Sequence, residues 1–250
     1  MAELTWDVWL VIGLALSVGG LTKGILGLGL PAVAVPIMAS FLGVEHAVMI
    51  MLLPTLTTNL WLAWGLRDCS TEIPELRRII ILGIPGVAVG AAVLYLASER
   101  FLGTVLSVWV VAYLALRFLH PELSLSPQAR RRFAPPVGFA SGVLQGATGV
   151  CAPIIVPYVD ALGVAPRTYV FAFAVVFMSL SLTHLTILGV LQAYTAERLL
   201  QSVIAVIPAM TFVPIGSWLR TYIRPEAFGM LIRVVLFVTA ARLFYGVWFG

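Results

Sequence analysis

Eight stretches of this chain stay apolar over lengths close to a bilayer crossing, at residues 6–40, 47–66, 79–97, 102–119, 137–159, 169–191, 199–219 and 228–249. A helix needs about 20 consecutive apolar residues to cross the hydrocarbon core. Eight such blocks take up most of a 250-residue chain and leave no room among these residues for an extramembrane domain. The composition agrees: 61% of residues are hydrophobic and 10% charged, with a mean hydropathy of +1.04. A soluble domain carries roughly 25% charged residues and needs them to cover its surface. Disorder, nucleic-acid wrapping and an ordinary soluble enzyme are excluded, so lipid is the solvent. The expected fold class is an all-α polytopic membrane protein. The net charge of +4 comes from arginines in short loops, where it sets membrane orientation and calls for no nucleic-acid partner. Cys69 and Cys151 support neither a disulfide framework nor a metal site. The first seven residues lack a basic stretch, so no cleaved signal peptide is expected.

Six blocks have the length of one span. The first and fifth are interrupted, at 19–36 and 142–157, by glycine, proline and polar residues. Such breaks survive in a membrane only where the freed backbone faces protein or a wet cavity. The interruptions match. Gly20-Leu-Thr-Lys23-Gly24-Ile-Leu-Gly27-Leu-Gly-Leu-Pro31 lies over Gly142-Val-Leu-Gln145-Gly146-Ala-Thr-Gly149-Val-Cys-Ala-Pro153, and Pro36 and Pro157 follow. The parallel continues through Ile84-Pro85 and Ile207-Pro208, Gly90 and Gly216, and Gly103 and Gly229. This ordered series implies internal duplication. It predicts a first transmembrane repeat at 1–119, a basic linker at 120–135 containing His120, Pro121, Glu122 and Arg130-Arg131-Arg132, and a second repeat at 136–250.

Basic residues cluster at Arg67/Arg77/Arg78 and at Arg117/Arg130/Arg131/Arg132. Two apolar blocks separate these clusters, which puts both on one side, the cytoplasmic side by the positive-inside rule. A single crossing by block five would leave Arg167, Arg220 and Arg224 outside. A re-entrant hairpin or two short crossings puts them inside. Glu3 and Asp7, with no Lys or Arg near them, suit an external N-terminus. The two halves then read as inverted repeats, each opening with a broken helix whose tip builds a ligand site near the midplane.

Lys23 is the most informative residue at those tips. A charge deep in a bilayer is retained with a partner, a cavity or a task, and an ammonium offers three donors to an anion. The competing reading is a lysine that snorkels to an interface. Gln145 lies opposite Lys23 in the repeat. Thr22 and Thr148 add hydroxyls, and Gly27 and Gly149 mark the breaks. Asn59, with Thr55, Thr57 and Thr58, and Ser181, with Ser179, Thr183 and His184, form polar patches in blocks two and six. These either touch the ligand or hydrogen-bond between helices. His184 and Asp160 are candidates for proton coupling, against structural and interfacial readings. Gly86-x-x-x-Gly90 reads as close helix packing.

At the stretches Gly24-Ile25-Leu26-Gly27-Leu28-Gly29-Leu30-Pro31 and Gly146-Ala147-Thr148-Gly149-Val150-Cys151-Ala152-Pro153, the chain resembles the TauE/SafE family, the sulfite-exporter-like anion permeases. The family's glycine run is thinned here, and Lys23 is not one of its general features. The resemblance implies a multi-pass protein of the bacterial inner membrane. It would be a secondary exporter of a small anion such as sulfite or an organosulfonate, with no cofactor and with H+ as a possible coupling ion. An uncoupled channel or facilitator is the alternative. An intramembrane enzyme built on Ser141 and His184 is a remoter one, since no Gly-x-Ser-x-Gly run or oxyanion loop accompanies that pair. The sequence leaves the oligomeric state open. With both termini outside and the 117–136 loop inside, a periplasm-active reporter fused at Gly250 should be active and a cytoplasm-active one silent. The reverse pattern would remove the inverted arrangement.

Overall fold

The structure is a computed structural model that describes residues 5–119, 124–222 and 225–249. Glu3, His120, Pro121, Glu122, Arg224 and Gly250, which entered the sequence reading, lie outside the described residues. Among the described residues ten α-helices run in the order α1 (Trp6–Leu26), α2 (Leu30–Leu42), α3 (Val44–Gly65), α4 (Leu76–Leu96), α5 (Glu99–Leu119), α6 (Pro127–Thr148), α7 (Ala152–Asp160), α8 (Pro166–Val190), α9 (Ala196–Leu219) and α10 (Pro225–Phe249). A 3-10 turn at Arg67–Thr71 follows α3, and no strand occurs among the described residues. Among the described residues six helices are long and apolar enough to span a bilayer: α1, α3, α4, α8, α9 and the Phe228–Gly246 part of α10. The chain is an all-α, multi-pass membrane protein. Tyr95, Phe237 and Val238 are exposed on its outer surface, as a lipid-facing surface requires.

Each interrupted block is a long helix followed by a short one. At 1.5 Å per residue, α1 reaches about 30 Å, whereas α2 and α7 reach only about 20 Å and 14 Å. Neither short helix can cross. The broken unit of the second half returns to where it began: Leu125 N–H donates to Ala161 O at 3.0 Å, and the Tyr158 hydroxyl donates to Arg130 O at 2.8 Å. The chain therefore enters along α6 and comes back along α7. Helix α6 also reaches into the stretch that hydropathy assigns to the linker. Ser126 caps it, its Oγ accepting from Ala129 N–H at 3.3 Å, and Pro127 occupies the first turn. Both are helix-start signals, which the arginine run hides from a hydropathy reading.

The two halves exchange partners. Helix α4 packs against α6, and α1 packs against α9. Both seams rest on missing side chains. A Cβ added to Gly86 would overlap Phe139 O, one on Gly90 would overlap Val143 O, and one on Gly142 would overlap Gly83 O. In the other seam, a Cβ on Gly24 would overlap Val213 O, and one on Gly216 would meet Leu21 O at 2.6 Å. Lipid gives helices little hydrophobic drive to associate, so this close backbone approach supplies the van der Waals contact that holds them. Gly86 and Gly90 pack as their spacing suggests. The contacts also set direction. Residues 79, 83, 86 and 90 of α4 meet increasing positions from 138 to 147 of α6, so these two helices run parallel.

Polar contacts at the helix ends define two faces. On one, Glu45 at the start of α3 pairs with Arg198 of α9 at 2.8 Å, and Glu99 of α5 accepts from Val44 N–H at 3.0 Å. Arg100 stacks on Trp248 at 4.6 Å, and Arg242 on Phe41 at 3.7 Å. On the other, Asp68 beyond α3 pairs with Arg167 of α8 at 3.0 Å, Glu72 accepts from Thr168, and Arg78 reaches Arg131 O at 3.5 Å. Overpacking a tight seam costs about 1–3 kcal/mol. Gly142→Ala and Gly86→Ala should therefore lower the unfolding midpoint of detergent-purified protein. Gly13→Ala, where an added Cβ meets nothing within 4 Å, should leave it unchanged or slightly raised.

Candidate functional site

Both breaks close in the same way. Gly27 (φ 82°) and Gly149 (φ 73°) take the left-handed conformation that glycine adopts without a Cβ penalty. Their N–H groups donate at 2.8 Å to Lys23 O and Gln145 O respectively. The residue whose carbonyl receives the cap is thus the polar residue the repeat singles out in each half. Pro31 and Pro153 then open α2 and α7, whose first-turn N–H groups have no acceptor within the helix.

The side chains of these two residues reach equivalent partners. Lys23 Nζ donates to Asn59 Oδ1 at 2.6 Å and to Thr58 Oγ1 at 3.1 Å, while Gln145 Nε2 donates to Ser181 Oγ at 3.4 Å. Lys23–Asn59 and Gln145–Ser181 are each separated by 36 residues, so the sequence register of the repeat is also a register of contacts. Lys23 is 5% exposed, and the ammonium does not snorkel. Its two acceptors are themselves fixed: Asn59 Nδ2 donates to Thr55 O at 2.8 Å, and Thr58 Oγ1 donates to Pro54 O at 2.7 Å. Pro54 lacks an N–H, which frees the carbonyl one turn back. Ser202 of α9 donates to that group, Ile50 O, at 2.9 Å.

Lys23, Asn59 and the Gly27–Gly29 break line a narrow cavity of about 20 Å³, enough for one water molecule. Its far wall is apolar and comes from α8 of the other half, through Val170, Phe173 and Phe177. Among the described residues no carboxylate pairs with Lys23. The site therefore holds a buried amine, neutral partners and backbone donors beside a helix N-terminus. That set suits an oxyanion.

The other candidates are placed as follows. Thr22 donates to Val18 O at 2.7 Å and Thr148 to Leu144 O at 2.8 Å, so both hydroxyl protons are committed to their own helices. Ser181 and His184 are fully buried on one face of α8, a turn apart. Gln145 Oε1, both ring nitrogens of His184, Ser141 Oγ and Thr55 Oγ1 have no hydrogen-bond partner. Ser141 and His184 therefore do not bond to each other. Asp160 is exposed at the end of α7, away from either tip. Among the described residues no group of three or more His, Cys, Asp or Glu converges as metal ligands would. The sequence reading missed the apolar wall from α8. A signal for it lay in the register that pairs Gly27 with Gly149, because Val170 faces Gly27 as Val48 faces Gly149.

Breaking one partner of a buried charge costs more than removing both. Asn59→Leu should destabilise the purified protein by about 3 kcal/mol in thermal or denaturant unfolding. The double variant Lys23→Met with Asn59→Leu should recover most of that loss.

A family model described as Sulfite exporter TauE/SafE matches residues 11–243. No curated protein and no solved structure matches the chain.

Proposed function

This chain belongs to the TauE/SafE sulfite exporter family, and from that premise we propose that it is a secondary exporter of a small oxyanion, sulfite or an organosulfonate, in the bacterial inner membrane. The observation that carries the reading is Lys23. Its ammonium is buried with neutral oxygens only, and such a charge is stabilised by an anion that enters beside it. Lys23 and Asn59 hold the anion, with Gly27 and the first-turn amides of α2 against its far side. Thr22 and Thr148 hold the breaks. Gly149, Gln145 and Ser181 form the corresponding tip in the second half. The cavity of about 20 Å³ admits a water molecule and not a sulfite, so the anion binds only when the tip moves away from the α8 wall.

Alternating access is supported by the arrangement of the halves. Helix α6 runs parallel to α4, α1 runs parallel to α9, and each tip leans on a helix of the opposite half. We read the halves as inverted, with the face bearing Arg67, Arg77, Arg78, Arg130–Arg132 and Arg167 in the cytoplasm.

The test is anion binding and flux. A charge-assisted hydrogen bond is worth about 1.5–3 kcal/mol, so Lys23→Ala should weaken sulfite binding roughly ten- to a hundredfold in calorimetry on folded protein. Lys23→Arg should restore part of it, because the guanidinium is planar and larger. Unchanged affinity in Lys23→Ala would remove Lys23 from the site. Sulfite accumulation in proteoliposomes against its own gradient, abolished by an uncoupler, separates a transporter from a channel.

A further inference from the structure

The tip of the second half carries a polar cluster that anion binding does not use. Lys23, Asn59 and Leu62 line the first site. In the register that lays Gly27 over Gly149, their counterparts are Gln145, Ser181 and His184. The first triad contains the Lys23 amine with its hydrogen bonds made. The second is neutral, fully buried, and left with acceptors and donors unmatched: Gln145 Oε1, both nitrogens of His184 and, a turn along α6, Ser141 Oγ. Thr55 Oγ1 is also unmatched and lies one helical turn from Asn59 on α3. Unsatisfied polar atoms in a membrane core are costly, and four side chains left so in one core point to an occupant.

We infer that the Gln145–Ser181–His184 cluster is a proton site that couples anion movement to proton flow. This rests on the anion-transport reading of the Lys23 site. Imidazole can take up and release a proton at a ring nitrogen, and Gln145 Oε1 is an unpartnered acceptor for an imidazolium N–H. One proton is taken from water onto a ring nitrogen at one face and released to water at the other. Only that N–H bond forms and breaks.

The titratable groups on the elements packed against α8 lie toward its two ends. Glu45 and His46 of α3 are engaged by Arg198 and Gln201. Arg77 and Arg78 of α4, Arg130–Arg132 of α6, Tyr158 and Asp160 of α7, and Asp68, Cys69 and Glu72 at and after the 3-10 turn sit toward the opposite face. Cys151 lies in the break itself, and none of these groups is bonded to His184. Helices α3 and α8 each touch both tips: α3 supplies Asn59 to the first and Val48 to the second, and α8 supplies Phe173 to the first and Ser181 to the second. A proton on His184 and an anion at Lys23 offset each other's charge across this shared pair. The two therefore favour joint occupancy and travel in the same direction: in the cell an anion leaving down its own gradient carries the proton out with it, and an inward proton gradient in vesicles drives the same cycle in reverse.

The experiment uses the full chain in proteoliposomes, with labelled sulfite and labelled methanesulfonate as probes. Methanesulfonate stays ionised across the pH range, and protein-free vesicles set the background. The readout is the ratio of initial flux with and without an inward proton gradient of one pH unit, about tenfold in proton activity. This ratio does not depend on how much basal flux a variant keeps. Wild type should show inward flux several times faster when the outside is acidic. His184→Gln, and His184→Leu, which copies Leu62 of the first half, should give a ratio near one. A wild-type ratio near one, a slowing in place of acceleration, a gradient response retained in both variants, or loss of all flux in both would each overturn the inference while leaving the anion reading in place. No flux of either probe in wild type would overturn the anion reading itself, and this inference with it.

Discussion

A peptide group inside a bilayer has no water to turn to, and the architecture follows from how the chain meets that constraint where its helices stop. At Gly27 and Gly149 the helix ends inside the protein, and the cap closes on the carbonyl of the residue four positions back. The remaining free amides lie at the starts of α2 and α7 and must be sheltered by protein or by something they bind. The rest of the fold supplies that shelter. The first tip sits against α8, and the second sits against Val48 of α3.

The glycine seams make this possible. Because α4 lies on α6 and α1 on α9 with backbone nearly touching backbone, each broken helix is braced by a helix from the opposite half. The tips can then differ chemically without changing the scaffold. One carries Lys23 on Asn59 and the other carries Gln145 on Ser181, at the same separation of 36 residues. The positions correspond in register, and differences at three of them separate an amine with its hydrogen bonds made from a cluster with polar atoms unmatched.

Much of this was legible along the chain. Apolar blocks announce helices because lipid leaves few alternatives, and paired Gly/Pro interruptions announce breaks because both residues act locally on the backbone. The polar residues at the tips stood out because hydrocarbon tolerates few of them. The start of α6 was not legible, since Ser126 and Pro127 signal a helix while Arg130–Arg132 read as loop. Nor could the roles of Thr22 and Thr148 be told apart from ligand donors. A hydroxyl serves its own helix or a ligand according to which acceptor is nearer, and that depends on geometry.

The sequence by itself determined the helical class, the two breaks and the short set of polar residues at them, because each follows from local backbone chemistry or from the absence of water. Only the tertiary structure decided that the second broken unit turns back to its own face, that Lys23 is held by Asn59 and Thr58 and does not reach an interface, and that the wall facing it belongs to the other half. These outcomes depend on contacts between residues dozens to more than a hundred positions apart. No local preference specifies such contacts until the glycine seams bring the helices together.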